Sequence, residues 1–271
     1  MSKNSPPSSS STLQAFTDQL QKSGRYTFER QEALSALGTT ALGLEAAARR
    51  LAEKDRLTVP RRGFYVIVPI EYQTAGAPPP TWYIQDLMVH LGHPYYVGLL
   101  SAAALHGAAH HQPQEFQVVS DATLRPATVG RSRIRFFRNK HLAVVSTIQV
   151  KTPTGMIRVS TPEATAIDLI RYAESAGHLG NVGTVLVDLA EKLDGTKLVE
   201  SLASYAEPGV AQRLGYLLEL ADAPDVAAPI AAWLSKRKPR MIRLRPDLAA
   251  DGAVRNDRWR LLINEDIEVE T

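Results

Sequence analysis

Apolar positions recur at helical spacing through the first fifty residues and then give way to short β-prone runs. Leu13, Phe16 and Leu20 stand on one helical face, and Gly24 supplies a stop. Phe28 to Leu37 reads as a second short helix, with Thr27 as its N-cap and Arg30 near its start. Gly38-Thr39-Thr40 is a turn that offers a further cap. A third helix, from about Ala41 to Lys54, places Leu44, Ala48 and Leu51 at i, i+4 and i+7. Its opposite face carries Ala46, Arg49, Arg50 and Glu53.

Two β-prone runs follow, Leu57-Thr58-Val59 and Phe64 to Val68, joined by the tight turn Pro60-Arg61-Arg62-Gly63. Three short helices followed by a hairpin with a basic tip is the layout of a winged helix-turn-helix. Such a module inserts its third helix into the major groove of DNA and lays the hairpin along the phosphates. The candidate contact residues are Thr39 and Thr40 at the helix start, Arg49, Arg50 and Lys54 along it, and Arg61 and Arg62 on the wing.

Residues 71–81 contain three consecutive prolines and read as a stiff, extended linker. The domain expectation is therefore a disordered tail at 1–12, a DNA-binding domain at 13–70, the linker, and a larger domain at 82–271. That larger domain opens with Tyr83, Leu87 and Leu91 on one helical face, broken at Gly92-His93-Pro94, and continues with a helix from Leu99 to Ala109. Strand-like runs come next at Phe116–Val119, Ile134–Phe137, Val144–Val150 and Met156–Val159, the last two flanking the hairpin turn Thr152-Pro153-Thr154-Gly155. Ser160-Thr161-Pro162-Glu163 combines a hydroxyl cap, a first-turn proline and a glutamate three residues after the serine, which is a helix start. The chain then reads as mostly helical to Ala232, and a strand pair near Arg240–Leu244 and Trp259–Ile263 closes it. The predicted class is α+β: a winged helix-turn-helix domain followed by a larger mixed α+β domain.

Net charge is only +3, but its distribution is uneven. From Ala122 to Pro162 there are eight basic residues and no acid, densest at Arg131, Arg133, Arg135, Arg138 and Lys140. From Glu163 to Asp225 eleven acids face four bases, and a second basic run follows from Lys236 to Arg245. Strand alternation puts Arg131, Arg133 and Arg135 on one side and Ile134 and Phe136 on the other. Two readings of this face stay open. The acidic stretch neutralises it from within, or it is a second basic surface for nucleic acid or a protein partner.

Cysteine is absent, which excludes disulfides, thiolate metal sites and a cysteine nucleophile. The Ser/Pro-rich start lacks the apolar stretch of a signal peptide, and no apolar run reaches the roughly 20 residues that span a bilayer. The expectation is a cytoplasmic chain. His106 and His110 stand at i, i+4 with His111 beside them, but no acid completes a zinc site before Glu115. The glycines of Gly177 to Gly183 lack a preceding strand and a Lys-Ser/Thr ending, and read as a loop between helices. No Gly-Ser precedes paired carboxylates, and no Gly-x-Ser-x-Gly occurs. No catalytic residue, metal or cofactor is assigned. The alternatives to DNA binding are an enzyme acting on nucleic acid or nucleotides through His106, His110 and His111, or a basic protein-interaction module.

Several stretches, in order, resemble the AbiEi family of antitoxins from bacterial type IV toxin–antitoxin, or abortive-infection, systems. They are Arg56-Leu57 with Arg62-Gly63-Phe64-Tyr65, the run Pro94 to Gly107, Val159 to Leu169, Arg213 to Glu219, and Asn256 to Trp259 with Asn264. The resemblance implies a winged-helix domain that binds its own promoter DNA and represses the operon. It also implies a C-terminal domain needed to counteract a nucleotidyltransferase-like toxin. It recasts His106 as part of a packed helix.

Overall fold

The computed structural model describes residues 12–108, 113–205 and 207–269. Tail residues 1–11, together with Ala109, His110 and His111, lie outside them.

The first helix, α1 (Leu13–Lys22), starts where the Thr12 hydroxyl accepts from the Ala15 amide at 3.2 Å, and it buries Leu13, Thr17 and Leu20. A short strand follows, β1 (Thr27–Glu29), then α2 (Arg30–Leu37), which ends at left-handed Gly38. This corrects the second helix: Thr27 is a strand residue, not an N-cap, and its hydroxyl donates to Asp86. Three residues are too few for period-two alternation to register in sequence. Next is α3 (Ala41–Ala52), capped by the Thr40 hydroxyl on the Gly43 amide and burying Leu44, Ala48 and Leu51 as expected. The hairpin is β2 (Leu57–Arg61) and β3 (Phe64–Ile67), with β3 central in the order β1-β3-β2. Arg61 is paired with Phe64, so the tip is only Arg62 and Gly63 rather than four residues.

On β3, Tyr65 and Ile67 join the core of α1–α3, while Phe64 and Val66 pack into a second core with Tyr83, Ile84, Leu87 and Met88. Strand β3 is thus buried on both faces, which the unbroken apolar run from Phe64 to Val68 encodes, while β2 keeps Val59 exposed. Residues 71–81 do not form an extended spacer. They fold into two short 3-10 turns (Ile70–Ala75 and Pro80–Trp82), with Ala77 in the shared core. The Ala75 carbonyl accepts from the Arg131 amide at 2.8 Å. Gly130 is needed there, because a Cβ would stand 2.3 Å from that same oxygen.

The larger region begins with α4 (Ile84–Leu91), β4 (Tyr95–Val97) and α5 (Leu99–Leu105). Strands β5 (Glu115–Ser120), β6 (Ala127–Val129), β7 (Ser132–Arg138), β8 (Thr147–Thr152) and β9 (Gly155–Ser160) complete a six-stranded mixed sheet, ordered β6-β7-β5-β4-β9-β8. The three-residue strands β4 and β6 escape the sequence pattern, and β8 begins at Thr147 rather than Val144. Helices α6 (Pro162–Arg171), α7 (His178–Ala190), α8 (Gly195–Tyr205), α9 (Pro208–Leu220) and α10 (Pro224–Arg237) pack on one face. Thr161 caps α6 through the Ala164 amide, as the Ser-Thr-Pro-Glu pattern predicts. The glycine-rich segment at 177–183 is not a loop: from His178 it is the first turns of α7. A small sheet closes the chain, with β10 (Ile242–Arg243) parallel and β11 (Val254–Asn256) antiparallel to β12 (Leu261–Ile263). The class is α+β. Among the described residues no helix is long and apolar enough to cross a membrane.

Candidate nucleic-acid interface

Two threonines open α3. Thr40 is its cap, and Thr39 folds over the first turn, so that a Cβ on Gly43 would lie 2.6 Å from its hydroxyl oxygen. Glycine at that position lets both threonines sit against the helix end. Further along, Arg49 and Arg50 are exposed in the last turn of α3; the helix ends at Ala52 rather than Lys54, which is exposed in the turn that follows. Arg49 leans toward Glu53 at 3.6 Å, whereas Arg50 and Lys54 meet no carboxylate among the described residues. A pair as exposed as Arg49–Glu53 contributes little and is easily exchanged for a phosphate.

The two wing arginines part company. Arg62 is exposed at the tip and contributes its carbonyl to His90 Nε2 at 3.2 Å. Arg61 turns the other way. Its guanidinium lies 5.8 Å from the Phe136 ring centroid, donates to the Pro60 carbonyl at 3.0 Å and reaches the Arg125 carbonyl. Burial pulls its pKa down. Arg61 therefore fastens the hairpin to the large sheet, where β2 runs beside β6.

Between α3 and the wing lies a groove of about 260 Å³, lined by Arg30, Glu45, Arg49, Val59, Arg62 and Tyr65. It brings together Arg49 and Arg62, thirteen positions apart, and adds Arg30, which sequence reading left out of the site. Arg30 pairs with Glu45 at 3.1 Å. A signal existed: an arginine in the first turn of a helix opposes the helix dipole unless something else holds it.

The arginines of the large sheet are arranged differently. Arg131 sits in the turn before β7 rather than on the strand. Arg133 and Arg135 do share a face, opposite Ile134 and Phe136, and both reach one acid: Glu115 on parallel β5, at 3.1 and 3.5 Å. Arg135 also lies 5.0 Å from the Phe137 ring centroid. The compensating charge is thus a cross-strand neighbour, not the acidic stretch from Glu163 to Asp225. Arg138 donates to the Asp121 carbonyl at 3.3 Å, and Lys140 is exposed beyond the strand.

Deeper in this region is a buried polar network. Tyr96 donates its hydroxyl to Asp168 at 2.8 Å, and Arg171 bridges Asp168 and Glu207 at 3.2 and 3.1 Å. Burial pushes the Asp168 carboxyl up to about 6, against the opposing pull of Arg171 and Tyr96. His106 donates Nε2–H to the Ser160 carbonyl at 2.8 Å, and burial lowers its pKa. Among the described residues no group of three His, Asp or Glu could hold a metal; His110 and His111 fall outside them.

The sequence stretches that carry the family resemblance meet in pairs. Tyr96 touches Asp168, joining the run Pro94–Gly107 to Val159–Leu169. Trp259 lies against Gly215, where a Cβ would be 1.9 Å from the indole, and donates Nε1–H to Glu219 at 2.6 Å.

Residues 96–220 match the family model described as the AbiEi antitoxin C-terminal domain. The crystal structure of the RV2827C protein from Mycobacterium tuberculosis is similar in fold, with a TM-score of 0.67 at 17% identity, covering 91% of this chain and 89% of that one. No curated protein matches the chain.

Proposed function

From the match of residues 96–220 to the AbiEi antitoxin C-terminal domain, we propose that the chain is a DNA-binding antitoxin of that family that represses its own operon. In this reading α3 enters the major groove of double-stranded promoter DNA. Arg49 and Arg50 face base edges, Thr39, Thr40 and Lys54 hold flanking phosphates, and Arg62 places the wing. Arg61 acts indirectly, by fixing the wing to the large sheet. The C-terminal domain serves to counteract a nucleotidyltransferase-like toxin.

One observation carries the DNA reading: Arg50 on α3, Lys54 just past its end and Arg62 on the wing are exposed without a carboxylate partner among the described residues, and Arg62 lines the groove between the two elements together with Arg49. Charge left uncompensated on a surface of this shape suits phosphate.

The test is a gel-shift titration with the DNA upstream of the protein's own gene, at two salt concentrations, against unrelated DNA of equal length. The reading expects preferential binding that weakens steeply with salt. It expects Arg49→Ala and Arg50→Ala to lose both affinity and preference. Equal binding of the two DNAs, or variants that bind as the parent does, would remove α3 from the interface.

A further inference from the structure

The outer face of α3 is not uniformly basic. Leu42, in its first turn, is 78% exposed, and Ala46, one turn on, is exposed as well. Both point away from the buried face of Leu44, Ala48 and Leu51. On the N-terminal side of this strip is Thr39, and seven and eight residues beyond Leu42 are Arg49 and Arg50. The acids on this face are held by bases: Glu45 by Arg30 and Glu53 by Arg49.

We infer that Leu42 and Ala46 read thymine methyl groups, and so set sequence preference alongside the arginines. This rests on the reading of α3 as the helix that enters the major groove. The thymine 5-methyl is the one apolar group on a base edge in that groove, and side chains from alanine size upward contact it. Ala46 keeps the helix surface low one turn beyond Leu42, so the isobutyl group of Leu42 can reach the groove floor. Seven to eight residues at 1.5 Å rise is roughly 11 Å, about three base-pair steps. The half-site should therefore carry thymine about three base pairs from the guanine that Arg49 or Arg50 contacts.

The probe is the upstream DNA fragment amplified twice, once with dTTP and once with dUTP, which removes thymine methyls outside the primers and leaves the pairing intact. The full chain and Leu42→Ala are titrated with both. Leu42 is exposed, so the variant should melt at the parent's temperature. The parent should bind uracil DNA about fourfold more weakly per half-site, the fold-change of one methyl group buried at roughly 0.8 kcal/mol. Leu42→Ala should bind thymine DNA more weakly and show a smaller uracil penalty than the parent, the remainder coming from Ala46 and the shortened side chain at 42. Arg50→Ala should keep the thymine-over-uracil ratio while losing affinity.

A parent that binds both fragments alike and prefers them to unrelated DNA overturns the methyl contact and leaves operator binding standing. A uracil penalty of the same size in Leu42→Ala overturns it too, since the penalty would then reflect DNA shape. A parent with no preference for the upstream fragment overturns operator binding and this inference together.

Discussion

On the outer surface of α3, in the turn after it and on the wing, Arg50, Lys54 and Arg62 meet no carboxylate among the described residues. In the larger region, Arg133 and Arg135 share Glu115, Arg171 spans Asp168 and Glu207, and Arg245 holds Asp247 and Glu265 at 2.7 Å each. The basic run at 131–140 is thus partly neutralised, whereas the sparser set on α3 and the wing, like the exposed Lys236, Arg237, Lys238, Arg240 and Arg243, meets no carboxylate among the described residues. What matters for a polyanionic partner is the charge left after the fold has placed its acids. A basic run marks where to look and does not say what will be found.

Breaking the inward network should give the largest effect. Asp168→Ala leaves the buried Tyr96 hydroxyl without its carboxylate and removes one of the two acids at Arg171. Because Glu207 still pairs with Arg171, the loss of unfolding free energy in urea should be about 3 kcal/mol, near the lower end for a broken buried pair. A loss under about 1 kcal/mol would mean that this network is as dispensable as a surface pair. The same residue sets a pH dependence. Its folded-state pKa is raised to about 6, above the unfolded carboxyl value near 4, so the folded state holds a proton that the unfolded chain gives up. Its contribution to stability is present below about pH 4 and falls as pH rises to about 6. Asp168→Asn should flatten the stability profile across that window, and an unchanged profile would contradict the raised carboxyl.

The next largest effect belongs to the outward set. Arg50→Ala should weaken binding to the upstream DNA by about 5- to 150-fold, the range of roughly 1–3 kcal/mol for one arginine on a guanine. Its melting temperature should stay within about 2 °C, since nothing in the fold leans on it. A large melting shift with intact DNA binding would place Arg50 on the structural side of the comparison.

Within the wing the contrast narrows to two neighbours. Arg62→Ala should make the slope of log K against log salt shallower by about 1, as loss of one phosphate contact does. Arg61→Ala should leave that slope alone and cost about 1 kcal/mol of stability by loosening the hairpin from Phe136 and the Arg125 carbonyl. If the salt slope follows Arg61 instead, the wing meets DNA in another orientation.

The smallest effect is expected at β7. Arg133→Ala with Arg135→Ala frees Glu115 and should cost less than about 1 kcal/mol, because these pairs are half exposed. Differential scanning calorimetry should record a melting shift of no more than a few degrees.

The helical part of the fold was legible because its signals are local. Thr40 and Thr161 cap α3 and α6, and Leu44, Ala48 and Leu51 fix the buried face of α3 without help from distant residues. The short strands β1, β4 and β6 were not legible, since three residues carry no period and form only where a partner strand is already in place. The candidate site divides along the same line. Arg49 and Arg50 follow from the helical wheel. The inward turn of Arg61 depends on Phe136, 75 positions away, and the Arg133–Arg135–Glu115 cluster on a parallel register between β5 and β7. Neither can be derived from neighbours in sequence.

The comparison of the two arginine sets is tested most directly by one competition titration. The upstream DNA and a scrambled fragment compete for the parent chain, for Arg49→Ala with Arg50→Ala, and for Arg133→Ala with Arg135→Ala. The account predicts that the α3 pair loses its preference for the upstream fragment and most of its affinity, while the β7 pair stays within about twofold of the parent. Retained preference in the α3 pair, or its loss in the β7 pair alone, would contradict it.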